Sequence, residues 1–190
     1  ATKDITIEDD LIEEVGRMFR YDSIPERPLV TTATVPQRDD EAWTCRQLVT
    51  LAATELGAHE IYDYSFVSDA LLEAVGAAGE PHLRVTNPVA PEVARMRRHV
   101  LPSVLAALPQ NLRSHADVLL FEDGRGYLPE QRDEDGLPRE LRELAFAWSR
   151  RGGEHPYGEL REGLVGLLAR IGRKVALHSP CSAAPPWAHP

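Results

Sequence analysis

Asp4, Asp10, Glu13 and Glu14 belong to an opening stretch, KDITIEDDLIEEVGRMFRYDSIP, that gathers acids with Lys3 beside them. Asp10, Glu13 and Glu14 stand at i, i+3 and i+4, which is one face of a helix. Asp4 lies at the far end of an extended DITI segment, and the chain has room to fold it back beside the other three. Four carboxylates at one point repel one another unless a cation sits among them. A hard, oxygen-seeking ion such as Mg²⁺ suits that set and keeps several waters. The competing reading is helix capping. Acids in a first turn favour the positive end of the helix dipole, by ~0.3–1 kcal/mol each, and Asp10 with Glu13 has the form of a capping box. On spacing alone, capping is the stronger reading.

Other chemistry is harder to assemble. There is no G-x-x-x-x-G-K-[ST] phosphate loop and no G-x-S-x-G elbow. The two glycines of EDGRGY fit a hairpin turn at Asp123-Gly124 better than a phosphate cradle. Seven histidines are scattered without zinc-ligand spacing. No nucleophile, base and orienting acid can be built from spacing, so the residues by themselves show no active site. RMRRH at 95–99 is the one candidate basic patch, and its bland reading is a solvated face. A net charge of −9 argues against binding nucleic acid through phosphates.

With 190 residues, 43% hydrophobic and 27% charged, the composition is that of an ordinary globular protein. Cys45 sits in the amphipathic AWTCRQLV, where a buried reduced thiol is the simplest reading; Cys181 lies far from it. No apolar run approaches the ~20 residues of a membrane span, and the polar, acidic start lacks a signal segment. A cytoplasmic protein is expected.

The acids need a helix to hold them, and the pattern supplies one from Asp9 or Asp10 to Phe19, with Leu11, Ile12, Val15, Met18 and Phe19 as its apolar stripe. Pro25, Pro28 and Pro36 then enforce an extended linker. A long helix follows from Asp39 or Asp40, with Gly57 as its left-handed end. HEIYDYSF reads as a strand, SDALLEAVG as a short helix capped by Ser68, and HLRVTNP as another strand. LPSVLAALPQNLRSH is helical, with a kink or break expected at Pro109. DVLLFEDGRGYLPE reads as two strands joined at Asp123-Gly124, ELAFAWSR as a strand, YGELREGLVGLLARIG as a helix, and KVALH as a last strand. This order predicts an α+β fold, a mostly antiparallel sheet with helices on one face. The sheet looks unfinished, as in a fragment.

The wording of the whole chain resembles the bacterial phenylalanyl-tRNA synthetase beta subunit. ATKDITIEDDLIEEVGRMFRYDSIP is similar to the segment closing that family's B5 domain, which runs K/R-x-D-I, D-L-I/V-E-E, then R-x-x-G-Y-D-x-I-P. ELGAHEIYDYSFVS, VTNPVAPEVARMRRHVLPSVLAALPQN, LLFEDGRGY and PWAHP resemble later blocks of the family, in the same order and over nearly all of the chain.

The resemblance implies the end of B5 over residues 1–22, a linker over 23–38, and an incomplete synthetase-like core over 39–190. It implies a class II-like antiparallel core without catalytic residues. Phenylalanine activation and ATP binding would belong to the alpha subunit, in an α₂β₂ tetramer that meets tRNA(Phe) as a complex, with no membrane involved. It also implies Mg²⁺ at the subunit boundary on Asp4, Asp10, Glu13 and Glu14, and so reverses the balance struck by spacing: capping and metal binding coexist. Arg97 would help shape the alpha-facing surface or form an ordinary salt bridge. Arg20 departs from the family's glycine before Tyr21-Asp22, His99 from a serine, and Asp123 from an apolar residue in F-E-x-G. Pro109 interrupts a family helix. A different reading is a free-standing paralogue that serves as a binding module without aminoacylation.

Overall fold

A computed structural model of the chain describes residues 4–152 and 155–175. Backbone contacts divide it into two compact units, Ala1–Gln37 and Arg38–Pro190. The KVALH strand, Cys181 and PWAHP fall wholly or partly outside the described residues; Lys174 and Val175, which are described, are not in a strand.

The first unit holds one helix, α1 (Glu8–Phe19), then a 3₁₀ turn at Tyr21–Ser23. The helix starts slightly earlier than the apolar pattern indicates, because Asp10 draws the preceding backbone into its first turn. Its stripe of Leu11, Ile12, Val15, Met18 and Phe19 forms as expected, and those side chains are exposed. From Pro25 to Gln37 no helix or strand forms, as the spacing of the prolines requires.

The second unit opens with α2 (Asp40–Glu55). Asp39 caps it by accepting the Ala42 N–H at 2.9 Å, and Gly57 leaves it with φ 65°. Then come β1 (His59–Glu60), β2 (Phe66–Val67), α3 (Asp69–Ala74) and β3 (Arg95–Met96). α4 (Leu101–Asn111), β4 (Asp117–Arg132), β5 (Pro138–Arg150) and α5 (Tyr157–Arg170) complete it. The main sheet has the order β1-β4-β5, with β1 parallel to β4 and β4 antiparallel to β5. β2 and β3 form a separate antiparallel pair. The architecture is α+β and mostly antiparallel, as expected.

Several local expectations give way. HEIYDYSF is two strand fragments around an exposed Tyr62-Asp63-Tyr64 loop. HLRVTNP contributes one isolated bridge, Arg84 to Arg95. α4 runs as one helix through Pro109, which stands in its last turn and removes only one late hydrogen bond. β4 continues straight through Asp123-Gly124. The reversal instead uses the second Asp-Gly of the region, where Gly136 has φ 78° and Asp133 Oδ1 accepts the Leu137 N–H at 2.7 Å.

Helices cover both faces of the sheet, not one. Val118, Leu120 and Ala147 pack with Val100 and Val104 of α4. Leu119 and Phe121 point the other way, into Ala52 of α2 and Leu167 of α5. The unbroken VLLF run is the cause: a strand apolar at consecutive positions needs cover on both sides.

Candidate functional site

In the first unit, Asp10 is the working residue of the helix start. Its Oδ2 accepts the N–H groups of Thr6 at 2.6 Å and Ile7 at 2.9 Å, and the Thr6 hydroxyl at 3.2 Å. Those backbone bonds hold the Asp10 carboxyl below the usual carboxylate range. Ile7 is the N-cap and has no side-chain acceptor, so only the carboxylate half of a capping box exists, with Asp10 rather than Glu13 at its third position. Glu14 Oε1 accepts from Arg17 Nη1 at 2.6 Å, while Asp4 and Glu13 are exposed. Among the described residues, no three acids, histidines or cysteines are grouped as for a metal ion.

The second unit carries a cleft of about 660 Å³. Its apolar lining includes Val67, Leu72, Leu101, Phe146, Leu160 and Leu164; its polar lining includes Glu80, His82, Arg97, Arg98, His99 and Glu143. The RMRRH segment supplies three of those groups, and each of its cations meets an acid of this same unit. Arg95 lies 2.8 Å from Asp69. Arg97 Nη2 donates to Glu122 Oε1 at 2.7 Å, with both side chains buried. Arg98 Nη1 donates to Glu130 Oε2 at 2.8 Å and to the Pro81 carbonyl at 2.7 Å. Its Nε lies 2.9 Å from Glu80, near enough for ion pairing but not aligned for a hydrogen bond. His99 Nδ1 lies 2.7 Å from Glu143 Oε1. Hydrogen bonds from Arg98 hold the Glu130 carboxyl down to about 2. A segment neutralised from within is not a phosphate-binding patch.

Arg97 is 3% exposed, so it shapes the interior rather than a subunit surface. Its Nε donates to the Arg125 carbonyl at 3.0 Å, and its own carbonyl accepts the Tyr127 N–H at 2.9 Å. The 97–98 backbone therefore crosses β4 at Gly126, and the Arg97 guanidinium reaches over Gly124. A Cβ on Gly124 would strike Arg97 Nη2, and one on Gly126 would strike the Arg98 carbonyl. The glycines of EDGRGY thus serve neither a turn nor a phosphate; Gly126 lets one backbone lie on another, and Gly124 leaves room for the Arg97 guanidinium and its Glu122 partner.

Sequence reasoning found the cations and missed their acids. Glu122, Glu130 and Glu143 lie 25 to 44 residues from Arg97, Arg98 and His99, and no local spacing links them. The available signal was glycine at alternate strand positions, which marks a close backbone approach. Cys45 is part-buried, and burial pushes its thiol up, in keeping with an inert residue.

Comparisons with known proteins bear on these two units together. Residues 24–170 match the family described as the phenylalanyl tRNA synthetase beta chain CLM domain. A phenylalanine–tRNA ligase beta subunit from Solibacter usitatus is 39% identical over 155 residues, covering 81% of this chain and 20% of that protein. One from Anaeromyxobacter dehalogenans is 30% identical over 203 residues, covering 98% of this chain and 24% of the relative. The chain thus spans about a fifth of the length of the curated relatives it matches. Among solved structures, a pyrrolysyl tRNA synthetase from Desulfitobacterium hafniense aligns with a TM-score of 0.49 at 14% identity, over 70% of this chain and 45% of that one. On the family match and these relatives, the chain belongs to the beta-subunit family of phenylalanine–tRNA ligase.

Proposed function

We propose that the chain is a structural portion of a phenylalanine–tRNA ligase beta subunit, binding the alpha subunit and carrying no active site of its own. The ligase joins phenylalanine to tRNA(Phe) with ATP; activation and ATP binding fall to the alpha subunit, and the assembly is an α₂β₂ tetramer in the cytoplasm. The observation that carries this reading is the family match over residues 24–170. The cleft supports it, because the arginines and His99 on its lining are bound to acids of the same unit. We extend the division of the chain in the same sense, with 1–22 as the end of a B5 domain, 23–38 as linker and 39–190 as part of the synthetase-like core.

Mg²⁺ at the subunit boundary is part of the proposal, held by Asp4, Asp10, Glu13 and Glu14. The donor chemistry fits, since all four are carboxylates. Asp10 commits Oδ2 to the helix start, and the Glu14 to Arg17 pair is a surface bond of the kind worth ~0.2–1 kcal/mol at most. Neither bars recruitment by a cation. The ion would neutralise the acids and fix the helix start against the partner.

Co-purification of the beta subunit containing this chain with the alpha subunit of the same genome tests the reading. It is run with Mg²⁺, with chelator, and with Asp10, Glu13 and Glu14 changed to Ala. A complex weakened by chelator and by the substitutions is expected. A complex indifferent to both returns the acids to helix capping alone, and no complex under any condition withdraws the subunit role in favour of a free-standing binding module.

A further inference from the structure

The start of α4 has no cap of its own. Val100, at the N-cap, has helical backbone angles and a side chain without an acceptor. The missing acceptor comes from β5: Glu143 Oε2 takes the Val100 N–H at 2.7 Å, while its Oε1 lies 2.7 Å from His99 Nδ1. One carboxylate thus ties two successive residues to the strand. Val100 is fully buried, so losing Glu143 would leave its amide orphaned away from water. The His99 side chain is 52% exposed and that of Glu143 23%, so the imidazole exchanges protons freely with solvent.

We propose that His99, Glu143 and the Val100 amide form a pH-sensitive latch that fixes the start of α4 to β5, tight while the imidazole is protonated and looser once it is not. A neutral imidazole can still donate from Nδ1, but a bond with charge on both partners is roughly twice as strong. Other charges face the pair from each neighbouring element. Glu80, beyond α3, and Glu130, on β4, favour the imidazolium; Arg98, beside it in the chain, disfavours it, and Arg97 favours ionised Glu143.

The titrations run in opposite directions. The hydrogen bond to Glu143 holds His99 above its ordinary value, against the effect of burial. Its contribution is complete below the unfolded value and is lost as pH rises through the folded one. Burial pushes Glu143 up, but the bonds from His99 and Val100 outweigh it and hold the carboxyl below its ordinary value. That contribution is present above the unfolded value and is lost as pH falls through the folded one. The latch therefore holds in a window closed by Glu143 on the acid side and by His99 on the alkaline side. Because His99, Leu101, Pro102 and Glu143 all line the cleft, loosening acts on that wall.

Amide hydrogen exchange at Val100, corrected for the intrinsic pH dependence of exchange, tests this on the intact chain. Protection should fall roughly five-fold as pH rises through the His99 titration, which the imidazole proton resonances report directly. In His99→Gln protection should be lower and flat over that range, and in His99→Lys high and flat. A flat profile in the unaltered chain would overturn the proposal. So would the same fall in either variant; if His99→Gln does not fold, His99→Lys alone decides.

Discussion

Arg20 ends α1 with φ 69° and ψ 122°, and among the described residues it is the one non-glycine with positive φ. Side chains avoid that region because Cβ crowds the backbone, at a cost of order 1–3 kcal/mol. Its compensation is slight: a 3.8 Å approach to Asp22, with both side chains exposed. Arg20, where the resemblance leads one to expect glycine, is thus a local strain, visible as such only once the angle is known. Arg20→Gly should relieve about 1 kcal/mol, read as a roughly five-fold rise in exchange protection over the last turn of α1. Unchanged protection would mean that the turn accommodates Arg20 without strain. The same scale explains why the acidic cluster resisted a single reading: Asp10 can cap a helix through one oxygen and still be a ligand through the other.

Elements that repeat a pattern were legible, and those fixed by distant contacts were not. α2 follows from Asp39 and Gly57, and α1 from its apolar spacing, because capping and periodicity are local. β4 was split in expectation because Asp-Gly is a strong turn signal. The chain has two such pairs here, Asp123-Gly124 and Asp135-Gly136. Register decides between them: β4 pairs with β5 from Asp117 through Leu128, with the Arg98 backbone against Gly126 and the Arg97 guanidinium over Gly124, both in strand form. Gly126→Ala should therefore destabilise the second unit by roughly 1–3 kcal/mol, because the added methyl has only the Arg98 backbone to displace. Urea unfolding followed by Trp fluorescence measures this. A loss within ~0.5 kcal/mol would show that the crossing is loose.

For the whole molecule, the net charge of −9 and the pairing of RMRRH with its own acids point the same way. The basic segment organises the interior; Arg97 with Glu122 is the buried example, and breaking such a pair by removing one partner typically costs ~3–5 kcal/mol. Those acids come from α3, the loop after it, β4 and β5, so neither the neutralised segment nor the cleft beside it was visible from spacing. The family was visible, because its blocks keep their order along the chain. Phenylalanine-dependent exchange of pyrophosphate into ATP decides whether the subunit containing this chain carries an active site. It is assayed with the beta subunit containing this chain, with the alpha subunit, and with both together. Exchange is expected from the mixture and none from the beta subunit alone. Exchange by the beta subunit alone would contradict that expectation and place an active site in this chain's own subunit.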